Sequence, residues 1–140
     1  MTRYFLLIIG ILLFSAGLFS QNNSIIPLPN HMKNSEGHFT VNAKTTIRFD
    51  ITNAALNRTA GYLNAEIEKQ TGYRLKTEDV SKSNTNTIVL SLIAPDSLGK
   101  EGYQLKVNKN SIKINAFAEQ GIFYAVQSLI QLLPFKSSKQ

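Results

Sequence analysis

Gly121–Pro134, GIFYAVQSLIQLLP, is the stretch whose reading decides the fold. Wound at about 100° per residue, the segment Ala118–Leu133 is expected to be a helix. Ile122, Phe123, Ala125, Val126, Leu129, Ile130, Leu132 and Leu133 then fill about half of its circumference. Pro134 ends it, because the residue before a proline avoids helical angles. A large apolar side chain is worth roughly 1.5–3 kcal/mol when fully buried, so this wide face belongs to a core. The remaining strip is Tyr124, Gln127, Ser128 and Gln131, polar throughout and without charge. Neutral hydrogen-bonding groups suit a surface that becomes covered, since burying a charge costs far more than burying an amide that finds a partner. Interface cores are likewise depleted in charge. Two arrangements follow: a helix held between its own sheet and a second body, or a core helix whose outer strip lacks charge by accident.

Upstream, Ala54–Gln70 makes the contrast. Leu56, Ala60, Leu63 and Ile67 draw one narrow apolar stripe at helical spacing, while Arg58, Glu66, Glu68 and Lys69 lie off it. This is an amphipathic helix with a wet outer side. Thr52 or Asn53 is placed to cap its start, and Gly72 to stop it. Thr45–Phe49 (TTIRF) and Thr87–Leu92 (TIVLSL) read as strands from their β-branched content, and Phe39–Val41 as a shorter one. Lys76–Asn86, KTEDVSKSNTN, reads as an exposed loop. In Tyr103–Ala116 the residues Tyr103, Leu105, Val107, Ile112, Ile114 and Ala116 alternate with polar ones around Asn108-Lys109-Asn110. That pattern predicts a hairpin in an antiparallel sheet covered on one side only. Strands, helix, strands and helix together predict a two-layer α+β domain, an antiparallel or mixed sheet carrying both helices on one face.

The first twenty residues are excluded from that fold. Arg3, an apolar run from Phe5 to Phe19 and a small Ser20 before Gln21-Asn22-Asn23 follow the grammar of a signal peptide. The run falls short of the roughly 20 apolar residues a membrane span needs. Residues 1–20 are therefore expected to be a leader cleaved after Ser20, residues 21–135 the folded domain and 136–140 a tail, with the product exported to the periplasm or beyond. The 140-residue chain contains no cysteine, which removes disulfides, thiolate metal sites and cysteine nucleophiles. Its formal charge of +6 comes from lysines scattered along the sequence, with no basic cluster interleaved with aromatics to bind nucleic acid.

Candidate chemistry is sparse. Glu78-Asp79 is the one adjacent acidic pair and falls in the polar loop. Glu66 and Glu68 point in different directions on their helix. His31 and His38 stand seven apart in a loop, too few and too far apart for zinc. The sequence has no HExxH, GxSxG, GxGxxG or Walker loop. Asn22-Asn23-Ser24 and Asn57-Arg58-Thr59 match the glycosylation sequon, a pattern common by chance. No residue is assigned as catalytic, cofactor-binding or metal-binding.

Six pieces in order carry a resemblance: IIPLPN at Ile25–Asn30; Gly37 and Phe39; an A..L...I...TG pattern ending at Thr71-Gly72; EGYQLKV at Glu101–Val107; IKINA; and GIFYAVQSLIQLLP. Across Ser24–Pro134 the chain resembles the non-catalytic N-terminal domain of β-N-acetylhexosaminidases of glycoside hydrolase family 20. Ala125 stands where that family often has Gly, and Ser128 where it often has Thr. The resemblance implies a domain that precedes a (β/α)8 barrel, with a substrate-assisted reaction run by an adjacent Asp-Glu pair of the barrel. None of the residues here matches that pair. The implied partner is the barrel, docked on the last helix through Tyr124, Gln127, Ser128 and Gln131. The competing expectation is a free-standing secreted module that binds glycan or protein.

Overall fold

Asn53 starts the first helix as its side chain predicts. Its Oδ1 accepts from the backbone N–H groups of Ala55 (2.9 Å) and Leu56 (3.0 Å), which answers two of the free donors at a helix N-terminus. Thr52 is occupied elsewhere, its hydroxyl donating to Asp50 Oδ1 at 2.6 Å. The helix closes at Gly72, whose φ of 81° lies in the left-handed region glycine tolerates. In this computed structural model, which describes residues 25–33, 36–81, 85–94 and 98–133, the order is β1 (Thr46–Phe49), α1 (Ala54–Thr71), β2 (Lys76–Asp79), β3 (Thr87–Leu92), β4 (Tyr103–Val107), β5 (Ser111–Ala116) and α2 (Glu119–Leu132). The expected leader at 1–20 and tail at 136–140 lie outside the described residues. Leu133, with ψ 142°, is extended, as the proline that follows it in the sequence requires.

The strands form one sheet in the order β2-β1-β3-β5-β4. Three pairings are parallel: β1 with β2, β1 with β3, and β3 with β5; β4 and β5 form the antiparallel hairpin. The expected two-layer α+β class holds, with the mixed form of the sheet. The one-sided, antiparallel reading holds for the two strands of the hairpin and not for the rest of the sheet, whose pairings are parallel. β1 and β3 are buried on both sides along most of their length, the signature of parallel strands in a sheet interior.

Both helices lie on one face. Leu56, Ala60, Leu63 and Ile67 of α1 and Ile122, Ala125, Val126 and Leu129 of α2 pack on Ile47, Phe49, Ile88, Leu90, Ile112 and Ile114 as one core. α2 approaches the hairpin through small residues. Gly121, Ala125 and Ser128 are all buried on the sheet side, and a Cβ at Gly121 would lie 2.8 Å from Ala116 Cβ and against the Gly102 carbonyl.

Two local expectations are corrected. Lys76–Asn86 is not loop throughout, because Lys76–Asp79 forms the edge strand β2, in register with Thr46–Phe49. The strand is exposed on its outer edge and polar, so its composition carries no strand signal. Asn64 of α1 holds its entry: Oδ1 accepts from Leu75 N–H and Nδ2 donates to Leu75 O, both at 2.8 Å. Phe39–Val41 is not a strand. The two sheet edges are β2 and β4, and Phe39 and Val41 pack as partly buried side chains against the helix-side core.

Candidate functional site

The outer surface of the helix layer differs from its sequence reading in one instructive way. Of the four expected docking residues, Tyr124 is exposed, Gln127 half-buried, Ser128 buried and Gln131 exposed. Ser128 faces the sheet, where its Oγ sits 2.6 Å from the Tyr103 hydroxyl of β4, and does not belong to the outer strip. Phe123 takes its place. Assigned to the core by hydrophobicity, it is 42% exposed. Helical geometry explains the exchange, since 120, 123, 124, 127 and 131 share one side at spacings of three and four. Leu132, also assigned to the core, is 36% exposed at the helix end.

Around Phe123 the two helices build an aromatic cluster. Tyr62 of α1 lies with its ring centroid 5.9 Å from that of Phe123, tilted by 36°. Tyr124 meets Phe123 edge-on at 6.1 Å and 61°. These separations lie in the range favoured by aromatic pairs. Tyr62 is 39% and Tyr124 44% exposed, so the cluster is solvated on its outer side. Beside it runs a groove of about 280 Å³ between the N-terminal halves of the helices, lined by Ala55, Arg58, Thr59, Glu119, Gln120, Phe123 and Tyr124. Tyr62 was not singled out by the sequence because the narrow stripe of α1 passes it by.

Gln131 is engaged within the chain. Its Oε1 accepts from the Ile26 backbone N–H and its Nε2 donates to the Ile26 carbonyl, each at 2.9 Å. A side-chain amide here imitates the two-point pairing of a neighbouring strand, and fastens Ile26, at the start of the bent Ile25–Asn30 segment with its cis Ile26–Pro27 bond, to α2. A second groove of about 280 Å³ is bordered by His38, Phe39, Thr40 and Val41 on one side and by Leu129, Leu132 and Leu133 on the other.

The acidic candidates resolve into structure. Glu78 is not a solvated loop residue: it lies on β2 and accepts from Arg48 Nη2 of β1 at 3.0 Å. Glu66 and Glu68 form ion pairs with Lys69 at 3.9 Å and Arg74 at 3.7 Å, of the exposed kind that contributes little. His31 and His38 are both exposed. Among the described residues, no three His, Cys, Asp or Glu side chains are grouped to hold a metal ion, and no helix is long and apolar enough to cross a membrane.

Fold and surface together define a two-layer α+β domain whose helix layer carries a solvated aromatic face. The sequence model of glycosyl hydrolase family 20, domain 2, matches residues 22–140, and the chain belongs to that family. A β-hexosaminidase of Porphyromonas gingivalis is 30% identical over 116 residues, which are 83% of this chain and 15% of that protein. The solved GH20 β-N-acetylhexosaminidase of Streptomyces coelicolor A3(2) superposes with a TM-score of 0.70 at 33% identity, over 79% of this chain and 21% of its own. The exo β-N-acetylglucosaminidase of Vibrio harveyi gives 0.63 at 27%, over 80% and 16%. The chain thus spans about a fifth or less of the length of these relatives.

Proposed function

We propose that this domain is a non-catalytic support of an exported β-N-acetylhexosaminidase, an enzyme that removes terminal N-acetylhexosamine from glycans or chitooligosaccharides. On this reading the hydrolytic groups belong to a (β/α)8 barrel, and the domain contributes a rigid surface on which the barrel rests. The observation that carries the reading is the Tyr62–Phe123–Tyr124 cluster. Large rings with a solvated outer side are costly to leave in water and are typical anchors of protein interfaces. Gln127 flanks them, so Phe123, Tyr124 and Gln127 of α2 with Tyr62 of α1 form the docking face, while Ser128 and Gln131 serve the fold. Export follows from the leader read at residues 1–20.

The test uses the purified chain with a separately produced (β/α)8 barrel of a family 20 β-N-acetylhexosaminidase. The chain alone should give no turnover of a chromogenic N-acetylglucosaminide above background. Added to the barrel, it should co-elute with it and raise its melting temperature. Robust hydrolysis by the chain alone, or a barrel indifferent to its presence, would overturn the reading. The same exposed rings are what a glycan-binding module would stack on sugar faces, which keeps that second reading in play. Calorimetric titration with chitooligosaccharides separates the two: saturable binding tighter than millimolar favours the module.

A further inference from the structure

Lysines scattered along the sequence come into line on the side of the sheet that carries no helix. In β1 the core takes Ile47 and Phe49, so the alternation of a strand turns Thr46 and Arg48 to the opposite face. The same alternation turns Glu78, Val89, Lys113 and Lys106 that way, and the strand registers set them side by side. Arg48 stands opposite Glu78 and Val89, Val89 opposite Lys113, and Lys113 opposite Lys106. One cross-strand row therefore reads Glu78–Arg48–Val89–Lys113–Lys106. Lys76, on the same face of β2, adds a fourth cation against the lone carboxylate of the row.

Two features of this row are unfavourable for the domain by itself. Lys106 and Lys113 are directly opposed in the antiparallel ladder, an arrangement that destabilises strand pairing for like charges. The Arg48 side chain is only 9% exposed, and while its Nη2 reaches Glu78, its Nε and Nη1 are buried without a hydrogen-bond partner. Thr46 and Thr87, opposite one another in the adjacent row, each hold a buried Oγ1 that is also without a partner among the described residues. Buried donors left unanswered cost free energy. Here they gather on one face with an excess of positive charge.

We propose that this face binds a tetrahedral oxyanion, sulfate or phosphate, free or as an ester on a larger molecule. Lys113 and Lys106 are exposed at the hairpin end of the row, while Arg48 stands two strand spacings away across the buried Val89, roughly 10 Å backbone to backbone, and holds Glu78 through Nη2. Lys106 and Lys113 supply the exposed charge that captures the anion, and its oxygens relieve their mutual repulsion. Arg48 contributes directional donors at the buried end of the row. The site uses the sheet face opposite the helices and stands independently of the docking reading.

The experiment is calorimetric titration and thermal melting of the 140-residue chain with sodium sulfate, sodium phosphate, methyl phosphate and sodium chloride at matched ionic strength. Sulfate or phosphate should bind saturably and raise the melting temperature above the chloride value. Binding of methyl phosphate as well marks an ester as acceptable; its absence restricts the site to the free ion. Lys106→Gln and Lys113→Gln should each weaken binding about tenfold, the worth of one charge-assisted contact. Without oxyanion and at low salt, either substitution should leave the melting temperature equal or higher, because it removes the repulsion. Lys69→Gln on α1 should bind as the parent does. Equal responses to chloride and sulfate, or parental affinity in both lysine variants, would overturn the assignment.

Discussion

The Tyr103 hydroxyl and Ser128 Oγ lie 2.6 Å apart, joining the outer strand of the hairpin to the underside of α2. Ser128 is 3% exposed, so its hydroxyl has this partner in place of water. Ser128→Ala should cost about 1 kcal/mol in urea unfolding, the net worth of one such bond plus part of the desolvation left on Tyr103. Tyr103→Phe should cost a similar amount, and the double variant less than the sum, since both remove one interaction. Strict additivity would mean that the two hydroxyls do not depend on each other.

Two glycines give opposite expectations for the same substitution. Gly61 is exposed inside α1, and a Cβ there meets no atom within 4 Å. Gly61→Ala should raise stability by about 0.5–1 kcal/mol through reduced freedom of the unfolded chain. Gly121 is buried where α2 presses on the hairpin, and its Cβ would be driven into the Gly102 carbonyl and Ala116. Gly121→Ala should lower stability by about 1–3 kcal/mol, as overpacking does. Shifts of the same sign in paired melting curves would contradict this account of the helix packing.

Much of this arrangement is legible in the sequence because it is encoded locally. The stripe Leu56–Ala60–Leu63–Ile67, the cap at Asn53 and the stop at Gly72 depend on neighbours within a turn or two, and each stands where its spacing places it. The hairpin is equally local. β2 is different: Lys76–Asp79 is polar because its edge faces water, and it is a strand only because β1 offers a partner and Asn64 fixes its entry. The parallel pairings are set by tertiary contacts that one-dimensional alternation cannot encode. At the surface, hydrophobicity sent Phe123 inside and polarity sent Ser128 outside. The structure reverses both, because the sheet demands small residues where α2 comes close and Tyr103 offers the serine a partner.

The clamp between Asn64 and Leu75 yields a local prediction. Leu75 is buried, and its backbone N–H and carbonyl both pair with the Asn64 amide. Asn64→Ala strands both groups and should cost about 1–3 kcal/mol. Asn64→Asp keeps the acceptor for Leu75 N–H and loses the donor, so it should fall between the parent and alanine. Hydrogen exchange supplies a second readout, with the amides of β2 losing protection before those of β3 and β5. Uniform acceleration across the whole sheet would place the role of Asn64 in global stability instead of in the edge strand.

The helix-layer cluster should separate association from stability. Phe123 is 42% exposed and lies outside the core cluster, so Phe123→Ser should lower unfolding free energy by about 1–2 kcal/mol, chiefly through the ring contacts it gives up. The same change strips the central ring, to which both Tyr62 and Tyr124 are packed. If the cluster is an interface anchor of hot-spot rank, worth about 2 kcal/mol or more, the variant should bind the separately produced barrel at least roughly 30-fold more weakly. It should also bind less of a hydrophobic dye, because an exposed apolar patch is what such dyes report. Ser128→Ala, which acts on the opposite side of α2, should lower stability by a similar amount and yet keep parental docking and parental dye binding. A Phe123→Ser chain that docks normally while Ser128→Ala does not would return the interface to the strip defined by polarity alone.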